Sequence, residues 1–418
     1  MGYEWFIGLR YLKAKRKQTF ISIITVISIA GVMVGVMTLI VVLAVMSGFE
    51  KTLKEKILGT QAHLVLLKAS QKGMDHYEEV LKEVEGVGGV VSAAPFIFSQ
   101  VMLSSESNVS GVVLKGIDPD RVGKVTELAH NLKAGRLQDL KRVEAGDLPG
   151  IILGVELAKN LSISLNDPIQ VISPLGTMTP VGMMPKMKKF RVKGIFHSGM
   201  YEYDTTMAYV SLDSAQKFFT MGDHITGIEI KTNDIYNVKK IGKEIRKKIG
   251  FPFWTKDWME MNRNLFSALR LEKIAMFIIL VLIVLVAAFN IISTLIMVVM
   301  EKNKDVAILK SMGAPPKGIL KIFIIEGGVI GVVGTILGTI SGLVIALNLE
   351  KVTGFVENLF GFKILSSDVY YIETLPSQVN PLDVGLIVMT AILISLLATL
   401  YPSWRASKLD PAEALRYE

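Results

Sequence analysis

The sequence predicts a polytopic α-helical membrane protein with four transmembrane helices and a large α+β domain inserted between the first and the second. Three observations predict it. Half of the 418 residues are hydrophobic, only 20% are charged, and the mean hydropathy is +0.45, which excludes a disordered chain and an ordinary soluble enzyme of this size. The apolar residues gather in four charge-free runs, Gln18–Phe49, Ile274–Met300, Gly327–Leu349 and Val384–Trp404, each long enough to cross a bilayer at roughly 20 residues. The 46 basic residues, against 38 acidic ones, cluster beside those runs, so the net charge of +8 belongs to membrane topology and not to a nucleic-acid surface.

Residues 1–19 come first, with Arg10, Lys13, Lys15, Arg16 and Lys17 opposed only by Glu4. Trp5, Phe6, Leu9 and Leu12 fall on one stripe, which suits a helix lying at the cytoplasmic interface. Residues 20–49 form the first span. A basic segment before an apolar one also describes a signal peptide, but this run is about twice the usual h-region length and no A-x-A site follows it; an uncleaved helix is expected. The second span is 274–300, the third 319–349 and the fourth 384–404. Lys302, Lys304, Lys310 and Lys317 lie in the 301–318 loop, and Arg405, Lys408 and Arg416 in the 405–418 tail, whereas the 350–383 loop carries Lys351 and Lys363 among five acids. The excess of bases puts both termini and the 301–318 loop in the cytoplasm, and residues 50–273 and 350–383 on the other side.

Within 50–273, Glu50–Leu58 reads as a charged continuation of the first helix. Strands are expected at His63–Leu67, Val90–Ala94, Val109–Ile117, Ile151–Leu153, Ile169–Ser173, Phe190–Phe196, Ala208–Leu212 and Ile225–Lys231. Helices are expected at Asp75–Val84, Glu156–Leu161, Ser214–Phe219 and Val238–Ile249. The segment 173–189 carries Pro174, Pro180 and Pro185 with Leu175, Met178, Met183, Met184 and Met187. Its prolines argue for an irregular loop, and its flexible thioethers suit either an apolar partner or packing beneath the loop.

Chemistry is scarce. The chain has no cysteine, which excludes thiolate catalysis, disulfides and Cys-ligated metals. It lacks a G-x-x-x-x-G-K-[ST] phosphate loop and a G-x-S-x-G elbow, and its five histidines show no ligand spacing. The spans carry no buried acid or base that would suggest a proton relay. Gly31-x-x-x-Gly35, and Gly334, Gly338 and Gly342 at every fourth position, allow close helix approach, either inside one bundle or across a dimer. The stretch Glu301–Gly313 reads as a short helix with Val306, Leu309 and Met312 on a ridge, ended by Gly313 and Pro315-Pro316. It is either a solvated connection or, as the ridge favours, a docking helix for a cytoplasmic partner.

Five stretches resemble a family: Ser28-Ile-Ala-Gly-Val-Met-Val-Gly-Val36; Val45-Met-Ser-Gly-Phe-Glu50 with Ile57-Leu-Gly59; Ile152-Leu-Gly-Val-Glu-Leu-Ala158; Asp305-Val-Ala-Ile-Leu-Lys-Ser-Met-Gly-Ala314; and Tyr401-Pro-Ser-Trp-Arg-Ala406 running into Asp410-Pro-Ala-Glu-Ala-Leu-Arg416. In order along the whole chain, they resemble the lipoprotein-releasing permeases of the LolC/LolE type, within the FtsX-like and MacB-type permeases of ABC transporters. The resemblance implies a bacterial inner-membrane protein whose inserted domain is periplasmic and has two subdomains. It also implies a second permease copy or paralogue, a LolD-type ABC ATPase dimer that alone binds ATP and Mg, a LolA-type periplasmic chaperone, and a triacylated lipoprotein substrate among membrane lipids. No cofactor is expected in this chain.

Three sets of residues follow as expectations. Val306, Leu309, Lys310, Met312 and Gly313 would couple to the ATPase. Val45, Met46, Phe49 and Leu53 with Phe266, Leu269 and Ile274 would line an acyl-chain cavity, should the first two spans face each other across a permease pair. Pro174, Leu175, Met178, Pro180, Met183 and Met184 would form a chaperone-binding hook within 173–189. A MacB-type exporter of drugs or peptides stays open as an alternative, as does a membrane-anchored enzyme, which would need a clustered polar site in the inserted domain.

Overall fold

A computed structural model of the chain describes residues 3–12, 19–70, 73–106, 108–141, 147–179, 182–361 and 375–410. These residues divide into a helical unit, drawn from 3–51, 268–361 and 375–410, and a mixed unit, Thr52–Ser267. In chain order the elements open with α1 (Tyr3–Leu12), α2 (Thr19–Thr60), β1 (Leu64–Lys68), α3 (Tyr77–Glu85), β2 (Val90–Ser104), β3 (Val109–Ile117), α4 (Val122–Val125) and β4 (Leu132–Gly135). Next come β5 (Gly150–Gly154), α5 (Val155–Asn160), β6 (Pro168–Thr179), β7 (Gly182–Phe196), α6 (Tyr201–Thr206), β8 (Met207–Ser211), α7 (Leu212–Phe219), β9 (Gly227–Thr232), α8 (Val238–Ile249), β10 (Phe253–Asp257) and α9 (Trp258–Met261). The chain then runs through α10 (Arg263–Glu301), α11 (Asn303–Ser311), α12 (Pro316–Leu347), α13 (Leu349–Phe360) and α14 (Pro381–Ser407).

Four of these helices, α2, α10, α12 and α14, are long and apolar enough to cross a membrane. Helix α2 continues through Glu50–Leu58 without a break, as its helix-favouring charged residues allow. Helix α12 begins with Pro316 at its first turn, where a missing N–H costs nothing. It is the packing centre of the helical unit. A Cβ on Gly338 would stand 2.6 Å from Met33 O, one on Gly334 would stand 2.8 Å from Val32 Cβ, and one on Gly342 would stand 3.1 Å from Ile40 Cβ. The glycine stripe therefore seats α2. Gly327 and Gly331, on another side of α12, lie against Thr399 and Ser395 of α14. The choice left open by the sequence, bundle or dimer face, falls to the bundle within this chain.

The mixed unit is built on a ten-stranded sheet. Six strands close on themselves in the order β2, β3, β8, β5, β7, β6 and back to β2. Along the first half of β2, Val90–Phe96, on the edge that β6 uses further on, strands β9, β1 and β10 extend the sheet. Alternation places Leu64, Leu66, Ile97, Leu114, Val210 and Ile230 in the main core, because side chains two apart share a face. Helix α8 closes that core with Ile241 and Ile245 while its lysines stay outside.

The segment 173–189 departs from the expected irregular loop. It is the outer part of a β-hairpin, with Thr177 opposite Met184 and Thr179 opposite Gly182. Pro174 and Pro185 are accommodated because this part of the arm is paired on one side only, and the ladder register shifts between Ser173 and Thr177, the stretch of the ladder where both of them fall. Proline is excluded only where a strand needs its N–H for pairing.

Candidate functional site

Helix α11 was expected to offer Val306, Leu309 and Met312 outward. The structure corrects this. Val306 is fully buried among Val298, Val299, Ile319, Ile322 and Phe323, and Leu309 packs on the same cluster. The helix thus spends most of its ridge on its own bundle, which is the cheaper place for an apolar stripe than water. Lys310 is tied down as well, its Nζ donating to Leu409 O at 2.6 Å. Met312 remains 80% exposed and Ile308 is also exposed. Together with exposed Lys304 they form one outward face at four-residue spacing. Gly313, with φ +94°, ends the helix in a conformation that other residues adopt only with strain.

A second correction concerns α12. Glu326 is fully buried there, and neither of its carboxylate oxygens accepts a hydrogen bond from a described residue. It stands just before the charge-free run that begins at Gly327, so a reading confined to that run passes over it. Other polar groups of the unit are partly satisfied: Ser28 Oγ and Thr294 Oγ1 lie 2.5 Å apart across α2 and α10, and Ser403 Oγ donates to Thr399 O at 2.6 Å, whereas Thr335 Oγ1 of α12 is buried without a partner among the described residues.

The residues expected to line an acyl cavity are divided between the two units. In the mixed unit, Leu53 is buried and Phe266 joins a small cluster with Ile57 and Trp258, its ring edge-on to the indole at 5.2 Å. In the helical unit, Val45, Met46 and Phe49 are half-buried, Leu269 is buried and Ile274 is exposed. No single cavity described within either unit gathers these residues. What the helical unit does present is α10, exposed on more than one side: Phe277, Leu282, Val286 and Phe289 are all exposed in the single chain.

Of the six residues expected in the hook, Pro174 and Met184 are exposed on the hairpin arm. Met178 and Met183 are paired opposite each other in it, Leu175 lies on β6 where the register shifts, and Pro180 lies outside the described residues. Met187 and Lys188 add exposed apolar and basic groups towards the base. Among the described residues, no group of three His, Asp or Glu side chains is placed to hold a metal.

Comparison with known proteins brings these features together. The FtsX-like permease C-terminal family matches residues 277–411, and the MacB-like periplasmic core domain matches residues 25–248. The lipoprotein-releasing system transmembrane protein LolC of Neisseria meningitidis is 40% identical over 99% of both chains. The chain belongs to the LolC/LolE family of ABC transporter permeases. LolC of Xylella fastidiosa is 39% identical over 99% of this chain and 98% of its own. LolE of Haemophilus influenzae is 30% identical over 99% of both chains.

In this LolC/LolE-family chain the elements missed from sequence are mostly short. Strand β4 reads LKAG, only four residues long, and β10 reads FWTKD, in which apolar residues are followed by polar ones without alternation. Helix α6 reads YEYDTT, yet it holds Asp204, which is buried and accepts from the Ser198 N–H at 2.7 Å and lies 2.8 Å from His197 Nδ1. Tyr203 on the same helix is pushed up to about 12 by burial, so it stays protonated at neutral pH. Asp204 carried a signal in its company of His197 and Ser198, but nothing in the sequence marks which polar residues a short helix will bury.

Proposed function

We propose that the chain is the membrane-spanning subunit of an ATP-driven transporter that lifts acylated lipoproteins out of the bacterial inner membrane and passes them to a periplasmic chaperone. The observation that carries this reading is the full-length match, 40% identical over 99% of both chains, to a protein of the lipoprotein-releasing system. The energetics agree with it. Each methylene drawn out of a bilayer costs about 0.8 kcal/mol, so extraction of a triacylated protein needs an external source of energy. A separate ATPase dimer, holding ATP and Mg, supplies it, since the sequence has no phosphate loop of its own.

In this reading both termini and α11 are cytoplasmic, and the mixed unit is periplasmic. The boundaries follow the charge pattern: spans at 20–49, 274–300, 319–349 and 384–404. Ile308 and Met312, with Lys304, meet the ATPase, while Val306 and Leu309 transmit its movement to α12 through the cluster at Ile322 and Phe323. An exposed face of α10 turns towards a second permease, a copy or a paralogue, and the acyl chains pass beside it. The hairpin arm, with Met184 and Met187 exposed and lysines at its base, receives the chaperone; thioethers adapt to an apolar rim and the bases steer an acidic one.

Depletion of the chain in its own cells tests the proposal. Outer-membrane lipoproteins are expected to accumulate in the inner membrane, and Ile308→Asp is expected to reproduce that phenotype while the variant chain stays in the membrane at normal abundance. Unchanged lipoprotein sorting on depletion would refute the reading.

A further inference from the structure

The mixed unit uses one face of its sheet for the main core, and the opposite face is not a solvated polar surface. Residues that alternate with the core positions, Val65 and Leu67 on β1, Phe96 and Phe98 on β2, and Met207 and Tyr209 on β8, line a concave pocket of about 500 Å3. That volume lies in the range of small-ligand sites, roughly 300–1,000 Å3. Phe98 is 49% exposed, a large ring left open where an antiparallel sheet facing water ordinarily carries polar groups.

The polar groups of this pocket narrow the chemistry of its ligand. On its floor Lys115 Nζ donates to Glu229 Oε1 at 2.6 Å, and both side chains are buried. The ammonium also sits 5.6 Å from the Phe96 ring centroid and 6.0 Å from that of Tyr209. Its charge is therefore matched within the protein, and the exposed Glu202 and Lys256 add one acid and one base to the lining. Lys115 and Lys256 are balanced in number by Glu202 and Glu229, so the lining carries no net positive charge to attract an anionic head group.

Among the described residues, two hydroxyls of the lining keep a proton to give. Thr226 Oγ1 accepts the Phe98 N–H at 3.0 Å, and Tyr203 Oη accepts from Gln61 Nε2; each hydroxyl has one donor besides its acceptor sites. The other two threonines of the lining have committed theirs, Thr60 to Lys56 O and Thr206 to Glu202 O. The available donors suit the carbonyl of an ester or an amide. The ring edges, branched side chains and thioethers around them suit a flexible alkyl chain.

We propose that this pocket is a binding site for one ester- or amide-linked acyl chain whose head group carries no net charge. Two sources present that chemistry, a neutral lipid and an acylated peptide. The inference goes beyond the transport reading and does not depend on it, since binding at this face requires neither ATP nor a partner subunit.

The full chain in phosphatidylcholine nanodiscs tests it with three palmitoyl probes that carry a diazirine at the chain end: palmitoyl glycerol, an N-palmitoyl dipeptide amide, and palmitate. Labelling by either neutral probe is expected in peptides that contain residues 96–98, 113–115 or 207–209, with palmitate labelling them less. The stronger of the two neutral probes identifies the source. Phe98→Glu is expected to lower this labelling by about ten-fold, equivalent to about 1.4 kcal/mol, with an unchanged melting temperature. Glu229→Gln leaves Lys115 with an uncompensated charge and is expected to reverse the order, palmitate labelling above palmitoyl glycerol. Should Phe98→Glu melt early, Thr226→Val decides: it is expected to weaken the ester probe relative to a carbonyl-free alkyl probe. Labelling confined to the spans, or pocket labelling that none of these substitutions alters, would overturn the proposal; either result would leave the transport reading standing.

Discussion

Helices α12 and α10 are both long and strongly apolar, yet they do opposite things. In α12, 39% of the most apolar window is buried inside the chain; in α10 the figure is 6%. The difference lies in residue size. Helix α12 places glycines where α2 and α14 approach, so backbones come close and dispersion contacts replace contacts with lipid. Helix α10 carries Phe277, Leu282, Val286 and Phe289 outward, with bulky side chains that fill lipid or a partner's surface. High hydropathy in both helices therefore conceals two roles, and the small residues separate them.

The largest expected effect breaks this comparison at its tightest point. Gly338→Leu drives a side chain into the α2 backbone at Met33 and is expected to destabilise the chain by about 3 kcal/mol or more. Val286→Leu on α10 is expected to stay within about 0.5 kcal/mol. Melting curves of the two variants in the same detergent check both, and similar losses would remove the distinction.

A second pair applies the same contrast to α11. Val306→Asp places a charge in an apolar cluster without a partner and is expected to cost at least about 2 kcal/mol. Ile308→Asp, on the exposed face, is expected to leave melting unchanged and to lower co-purification of the ATPase. The reverse pattern would restore the ridge read from the sequence.

Helix α12 also contains a charged exception to its own packing, the buried Glu326. A buried polar group without a hydrogen bond costs about 1–3 kcal/mol, so Glu326→Leu is expected to raise stability by an amount in that range. If transport falls while stability rises, the carboxyl group is kept for function; a drop in stability would mean that it is satisfied in the folded protein.

The smallest effect lies in the mixed unit. His63 is buried, its Nδ1 lies 3.2 Å from the Thr232 N–H, and burial together with Lys231 holds its imidazole below the ordinary value of 6.5. The unfolded chain then takes up a proton at a higher pH than the native one. The contribution of His63 to stability is complete above about pH 6.5 and is lost as the pH falls through the lower native value. His63→Gln is expected to flatten the acid side of a plot of melting temperature against pH.

What the sequence made legible follows from which signals are local. Helix α8 reads from Val238 to Ile249 and strand β3 from Val109 to Ile117, with the ends found in the structure, because their periodicity is strong and turn residues bound them. The hairpin arm was misread because its three prolines are a local signal, whereas tolerance of proline depends on which edge of a strand is paired. Val306 was misread for a related reason: an apolar ridge shows that something covers it, not whether the cover comes from a partner or from Ile322 and Phe323 of the same chain. Glu326 sits one residue before a charge-free run, and only packing buries it. The pocket at Phe98 and Lys115 depends on strands far apart in sequence, β1, β2, β3, β8 and β9, whose order along the chain does not reveal their shared face.

In the proposed function this chain couples ATP hydrolysis to the release of lipoproteins. The most direct measurement co-reconstitutes it with its ATPase, and with a paralogous permease where the genome carries one, in proteoliposomes loaded with a triacylated lipoprotein. Soluble lipoprotein–chaperone complex is then counted before and after ATP is added. The account predicts that complex appears only with hydrolysable ATP and the intact chain, and that Ile308→Asp abolishes it. Hydrolysis that proceeds at full rate while the lipoprotein stays in the membrane would contradict the account.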